Sequence, residues 1–363
     1  MSQAGLAPSL PMTDLGTLLA PTVTRLFGDL VTKELIESAE KGAWPDKLWR
    51  ALEEGGLTLP LVPEEAGGAG GLWEDAHVVV RAAGKHAAPV PLAETIVASW
   101  LLAQARLEVP LGPLTVAPVR EGESLRLTQS GGAWQLSGTV SGVPWGAAAG
   151  HVVVVADVDG ATLVALVRQG AAQITRDRNL ALEPRDTLAF DHAPVVAAAP
   201  AGPRVGADTV ITLGAMIRAA QMAGSLESLL EQSVRYATER KQFGRPIGNF
   251  QAIQHNLAIL AGHVAAAGSA AEYAFHAADR GAPTFEVAVA KVRAGEAAGI
   301  GAGIAHQAHG AIGFTYEHSL HFSTRRLWSW RAEFGSESRW AQRLGREVAA
   351  RGADQLWSEL TAR

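Results

Sequence analysis

Between residue 13 and about residue 105, apolar residues recur at helical spacing in blocks cut by turn formers: LGTLLAPTVTRLFGDLV, PDKLWRALEEGG, WEDAHVVVRAAGKHA and AETIVASWLLAQA. Steps of three and four between apolar positions predict helices, and Pro45 stands near the start of one, where a missing N–H costs nothing. From Pro113 the texture changes to short β-prone runs, LTVAPV, SLRLTQ, AWQLSGTVSGV, HVVVVADV, ATLVALV and DTLAF, each bounded by Gly, Ser, Asp or Pro. Such runs at close spacing predict a small barrel or sandwich that ends near residues 194–203. After Pro203 only Pro246 and Pro283 interrupt the chain, which leaves three long stretches free to be helical. In the first of these, Val210, Leu213, Ile217, Ala220 and Gly224 mark one buried face, and a bundle of about four or five long helices is the natural product. The predicted fold class is therefore α+β: an N-terminal helical domain (1–110), a middle β domain (111–203) and a C-terminal helical bundle (204–363).

Composition narrows the functions open to such a chain. With 363 residues and 48% apolar content there is material for a sizeable core. Thirty-one Lys and Arg against 36 Asp and Glu give a formal net charge of -5, so there is no global basic field for nucleic acid, and any bound anion must be met by local groups. No cysteine is present, which excludes disulfides, thiolate metal sites and a cysteine nucleophile. The N-terminal stretch lacks a basic segment before an apolar core, and no apolar run reaches the roughly 18 residues of a membrane span. The expectation is a cytoplasmic protein with neither nucleic-acid nor membrane partners.

The most informative stretch is YATERKQFGRPIGNFQAIQHNLA, Tyr236 to Ala258, where a helix carries cations to its end, turns at Gly244 and restarts on Gln251. An arginine at a helix end offers a planar fork suited to phosphate oxygens, and a following glycine lets the backbone approach closely. Tyr236, Arg240-Lys241-Gln242-Phe243-Gly244 and Gln251, with a second block His306-Gln307-Ala308-His309-Gly310-Ala311-Ile312-Gly313-Phe314 and Glu317 beyond it, resemble the signature of the acyl-CoA dehydrogenase family. LEEGGLTLPLVPEEAGGAGG upstream is similar to that family's N-terminal domain, so the resemblance spans nearly the whole chain.

That resemblance implies an FAD-dependent oxidoreductase acting on the α,β bond of an acyl-CoA thioester, in fatty acid or steroid side-chain catabolism. It implies FAD between the β domain and the bundle, in a site shared between subunits. Arg240 would be the ligand of a neighbour's FAD pyrophosphate, Gln242 a polar contact and Phe243 a packing residue, while Gln307 and Gly310 would approach that FAD at its adenine end.

The same resemblance exposes losses. The family's chemistry needs a carboxylate to take the α-proton, worth about 10² to 10⁴ in rate. Counting along GFTYEHSLHFSTRRLWSWRAEFGSE puts Phe334 in the usual glutamate position, and the alternative base position on the preceding long helix is Gly214. Glu333 becomes the candidate base if the chain shifts by one residue, about 100° of helical rotation; otherwise it is expected as a solvent-facing charge paired with Arg331 or a neighbour. The family's flavin-lining β loop is not recognisable in LTVAPVREGESLRLTQSGG, and Trp145 is expected as a packing residue. What survives serves a neighbour's FAD, which points to a homo- or hetero-oligomer, dimer or tetramer, with a related subunit, this chain being the base-lacking member of the kind paired in steroid side-chain degradation. The alternative is a non-catalytic scaffold of the same fold that binds acyl-CoA or a partner.

The pairs His306/His309 and His318/His321 share a spacing that suits metal ligands, but Glu317 is the one nearby carboxylate, so no metal is expected. EEAGGAGGLW lacks the strand and Lys-Ser/Thr of a phosphate loop and is expected to be a flexible turn. Trp328, Trp330 and Trp340 beside Arg325, Arg326 and Arg331 suit either an interface or the core.

Overall fold

The chain runs as helices, then strands, then helices, in a computed structural model that describes residues 13–281 and 283–362. The first group comprises α1 (Asp14–Leu30), α2 (Lys33–Glu40), α3 (Asp46–Glu54), α4 (Trp73–Lys85) and α5 (Leu92–Gln104). Seven strands follow: β1 (Leu114–Val116), β2 (Ser124–Ser130), β3 (Ala133–Pro144), β4 (His151–Val158), β5 (Ala161–Arg168), β6 (Gln173–Thr175) and β7 (Arg185–Pro200). The last group is α6 (Thr209–Glu239), the hairpin β8 (Lys241–Gln242) and β9 (Arg245–Pro246), then α7 (Gln251–Asp279), α8 (Thr284–His309), α9 (Leu320–Trp330), α10 (Glu337–Arg351) and α11 (Leu356–Ala362). This is the α+β order expected from the apolar periodicity. Among the described residues no helix is long and apolar enough to cross a membrane.

The strands pair in the order β1-β4-β5-β7-β3-β2, with β6 beside β7. The long β7 binds the two halves. Its first part pairs antiparallel with β3 (Pro144↔Arg185 to Gln135↔Pro194), and its second part with β5 (Val167↔Val195 to Leu163↔Pro200). Of the two register shifts in the β3–β7 ladder, the one between Leu136 and Gly138 places the extra residue in β7 and the one between Val140 and Val143 places it in β3, which bends the pair where β7 passes from one half of the sheet to the other. The sheet has its own apolar cluster, built around Leu136, Val140, Val152, Val154 and Leu188.

The two helical groups share a single core, because α4 and α5 lie against α6 and bury Trp73, Ile96, Met216 and Phe275 in one cluster. Their alternation of small and large apolar side chains explains the close contact: Ala215, Ala219, Ala223 and Leu226 are all fully buried on α6. The glycine-rich turn 67–71 is not slack. Its N–H groups bond back to Pro63, Leu59, Val62 and Pro60 carbonyls at 2.8–3.1 Å, which satisfies the backbone and fixes the entry to α4.

Candidate active site

The turn between α9 and α10 brings the two expected base positions together. Phe334 adopts a left-handed backbone (φ 53°), rare for a bulky residue and a mark of a constrained position. Its ring lies on Gly214 of α6, so closely that a Cβ at Gly214 would overlap the ring carbons. Glycine at that point is thus a packing requirement of phenylalanine at the other. Trp340 Nε1 donates to the Phe334 carbonyl at 3.0 Å and secures the turn.

Glu333, one residue earlier, points elsewhere. Its carboxylate accepts from Arg185 Nε (2.8 Å) and Nη2 (3.0 Å), from Arg218 Nε (2.7 Å) and from Asn179 Nδ2 (2.9 Å). It is 13% exposed and is not the surface partner of Arg331, which pairs with Glu337 instead. The reason is the turn itself: reversing direction after Trp330 swings residue 333 inward toward α6. Burial pushes the Glu333 carboxyl up, but the Arg185 and Arg218 charges and the hydrogen bonds from Arg185 and Asn179 outweigh it and bring its pKa to about 2.

Glu333 belongs to a buried cluster that the sequence reading missed. Arg218 donates to Glu94 at 2.5 Å; Arg185 donates to Glu183 at 2.8 Å; Trp330 Nε1 reaches Glu183 at 2.9 Å; and Arg326 Nε lies 3.2 Å from Glu183. Three arginines face three glutamates, so the cluster is neutral as a set, which is the condition under which charges survive burial. These residues come from α5, the β6–β7 loop, β7, α6, α9 and the α9–α10 turn. The cluster therefore ties both helical groups to the sheet behind the Phe334 turn. A signal existed in the sequence: Arg218 in LGAMIRAAQMA and Glu94 in PLAETIVASW are lone charges in otherwise apolar stretches.

Lys291 of α8 is a further buried charge. Fully buried, it donates to the Trp330 and Arg331 carbonyls at 3.0 and 2.7 Å and so holds the end of α9. Burial lowers its pKa from 10.5 to about 7, against the raising pull of Glu333 and Glu337. Between those values the unfolded chain binds more protons than the folded one, so stability from this group rises as pH climbs from about 7 toward 10.5. Urea denaturation across that range should show the rise, at most about 1.4 kcal/mol per pH unit, and Lys291→Met should flatten it. Equal slopes for the two proteins would contradict the assignment.

A cleft of about 670 Å³ opens in front of this turn, between the β1–β2 loop and the helices, with Val119, Leu180, Ile211, Trp328 and Phe334 on its walls. Trp145 lies outside it, buried edge-on against Trp44 with ring centroids 6.5 Å apart, as a packing residue. Trp330 and Trp340 are buried too, whereas Trp328 is 40% exposed.

The residues expected to meet a neighbour's FAD lie on the far side, exposed. Arg240 ends α6 in extended backbone (φ -71°, ψ 120°), and the β8–β9 hairpin turns on Phe243 (φ 51°) and Gly244 (φ 79°). Phe243 is 91% exposed, edge-on to Phe250, over which Arg245 stacks at 4.4 Å. Arg240, Gln242, Gln307 and Gly310 are exposed as well. The two blocks meet through Tyr236 of α6, whose ring stacks on His309 of α8 at 4.6 Å. Among the described residues Arg240 has no carboxylate partner, and no three metal-ligating side chains converge. The exposed guanidinium of Arg240, without a carboxylate partner among the described residues, is free to meet an anionic ligand.

With fold and geometry combined, the chain belongs to the acyl-CoA dehydrogenase family: residues 16–106 match the family's N-terminal domain and residues 204–347 its C-terminal domain. Members of that family are FAD-dependent oxidoreductases acting on CH–CH bonds. The chain is 31% identical over 291 residues to acyl-CoA dehydrogenase IpdE2 of Mycobacterium tuberculosis, covering 79% of this chain and 82% of that protein. It is 32% identical over 313 residues to acyl-CoA dehydrogenase FadE34 of the same organism, covering 82% of this chain and 42% of that one. The crystal structure of the ChsE4-ChsE5 complex from Mycobacterium tuberculosis is similar with a TM-score of 0.85 and 28% identity, over 93% of this chain and 98% of that one.

Proposed function

We propose that this chain is the base-lacking subunit of a hetero-oligomeric, FAD-dependent acyl-CoA dehydrogenase, paired in the cytoplasm with a related chain that supplies the carboxylate. The contact between Phe334 and Gly214 carries this reading. Both positions at which the family places a base are here spent on one apolar contact, and phenylalanine cannot accept a proton. Glu333, the remaining candidate, is held ionised near pKa 2 by two arginines, far from the value near the working pH that suits a general base. Its lone pairs are occupied by four hydrogen bonds. The likeness to the ChsE4-ChsE5 complex supports the pairing, and the likeness to the Tcur3481-Tcur3483 steroid ACAD structure, with a TM-score of 0.83 and 28% identity, favours an acyl-CoA with a bulky, steroid-derived side chain as the substrate class.

The division of labour follows from what this chain presents. FAD, when bound between the subunits, supplies the hydride acceptor for the β-carbon. Arg240 would hold its pyrophosphate, with Gln242 and Phe243 as the adjoining polar and packing contacts, and Gln307 and Gly310 would lie toward the adenine. The partner's carboxylate removes the α-proton.

Replacing Arg240 with alanine in the coexpressed pair tests the binding part. A charge-assisted hydrogen bond is worth about 1.5–3 kcal/mol. FAD should therefore dissociate at least about tenfold more readily from the variant pair, read by flavin absorbance after dialysis. Full retention of flavin at an unchanged dissociation constant would sink the assignment.

A further inference from the structure

Four of the 11 histidines, His306, His309, His318 and His321, stand at the joint between α8 and α9, and the proposed reaction uses none of them. His309 is the last residue of α8 and is 3% exposed. Its Nδ1–H donates to the Ala305 carbonyl at 2.8 Å, which leaves Nε2 as a bare lone pair, and that atom is buried without a hydrogen-bond partner. The ring stacks on Tyr236 of α6 at 4.6 Å and meets His318 edge-on at 4.7 Å, while His318 stands perpendicular to Tyr236 at 6.2 Å. His318 spends its Nδ1 differently: that nitrogen accepts from the Leu320 N–H at 3.1 Å and so satisfies a free donor at the start of α9. Residues 310–319, which connect the two helices, are tied down around these rings. Ser319 Oγ donates to Gln232 Oε1 at 3.1 Å, and Lys33 Nζ donates to the Tyr316 and Glu317 carbonyls at 3.0 Å. Gly313 packs so closely that a Cβ there would lie 3.0 Å from His309 and 3.1 Å from Leu320.

We propose that His309 and His318 form an acid-sensitive clasp, which closes residues 310–319 onto Tyr236 while both rings are neutral and releases them when either ring takes up a proton. A proton on His309 Nε2 would be a buried donor with nothing to meet. One on His318 Nδ1 would displace the Leu320 N–H and set a cation at the N-terminal end of α9, the end that disfavours it. Burial lowers the His309 pKa below the usual 6.5, helped by His318 and His306 and against the bond to Ala305; burial and then Lys33 lower that of His318. The other charges at the joint are Arg325 and Glu40, which face His321 and pair with each other at 2.6 Å, and Glu317 on the connection itself. Among the described residues neither His309 nor His318 has a carboxylate within ion-pair distance. Released rings bind protons at about 6.5 and clasped ones only below it, so closure is fully stabilised above that pH and is lost as pH falls beneath it. Tyr236 lies about one turn before Arg240, and Gly310 begins the connection, so release reshapes the outward face that the two blocks share. That this face meets a flavin rests on the function proposed above; the clasp itself does not.

Hydrogen exchange of the purified lone chain, read by mass spectrometry at about pH 7.5 and about pH 5.5 and corrected for intrinsic rates, tests the clasp. Residues 310–320 should open at least about tenfold more often at the lower pH, reversibly, with the middle of α6 unchanged, since each unit by which a ring's pKa is lowered is worth about tenfold. A His309→Phe/His318→Asn double variant keeps a ring on Tyr236 and an acceptor for the Leu320 N–H but takes up no proton, so it should protect the connection equally at both pH values. Proton NMR of the unmodified chain should show the His309 and His318 rings titrating with midpoints below 6.5. Equal protection of the unmodified chain at the two pH values, acid opening that persists in the variant, or a midpoint at or above 6.5 for either ring overturns the inference. None of these readings involves flavin, so loss of the Arg240 assignment would leave the clasp standing, and loss of the clasp would leave that assignment untouched.

Discussion

Arg218→Met should destabilise the protein by about 3–5 kcal/mol, the range expected when one partner of a buried ion pair is removed. The guanidinium is 1% exposed and bonds to both Glu94 and Glu333, and it lies 5.4 Å from the centre of the Phe334 ring. Without it, two carboxylates stay buried short of a counter-charge, and each must either remain ionised at a cost or take up a proton. The glutamates raise the Arg218 pKa despite its burial, so its charge is not in question at any ordinary pH. Urea denaturation monitored by circular dichroism measures the loss. A change below about 1 kcal/mol would mean that the cluster is no stronger than a surface ion pair and does not tie the sheet to the helices.

Much of this was legible in the chain. Helical spacing in residues 13–105 and after 203, and the short β runs between, marked the order of elements because apolar periodicity is a local property. Phe334 follows by counting from the Gly-Phe of the second block and Gly214 from its place on the long helix before the first block, since spacing along one chain needs no knowledge of contacts. That the two touch could not be read, because residues 120 positions apart meet only through the packing of the α9–α10 turn on α6. Glu333 shows the same limit. Its local sequence suggests a surface charge or a base, while its actual partners, Arg185 and Arg218, come from β7 and α6. Burial of charge is a tertiary fact, and its local trace is a lone ionisable residue inside an apolar run, as at Arg218 and Glu94; Lys291, with Arg293 two residues on, carries no such trace.

The second large effect concerns activity. The lone chain, even supplied with FAD, should turn over an acyl-CoA at least about 10²-fold more slowly than the coexpressed pair, because general-base assistance of about 10² to 10⁴ is missing from it. Phe334→Glu should not recover the difference. A carboxylate placed there would lie over Arg218, which would hold it ionised at low pKa as it does Glu333, and a base in that state accepts protons poorly.

The most direct measurement of the central claim is the anaerobic visible spectrum of the purified protein with an acyl-CoA, recorded for the chain alone with FAD and for the coexpressed pair. The flavin bands should persist in the first case, and about one flavin per pair should bleach in the second. Rapid bleaching by the lone chain would contradict that claim, and would mean that a base exists in this subunit at neither Phe334 nor Gly214.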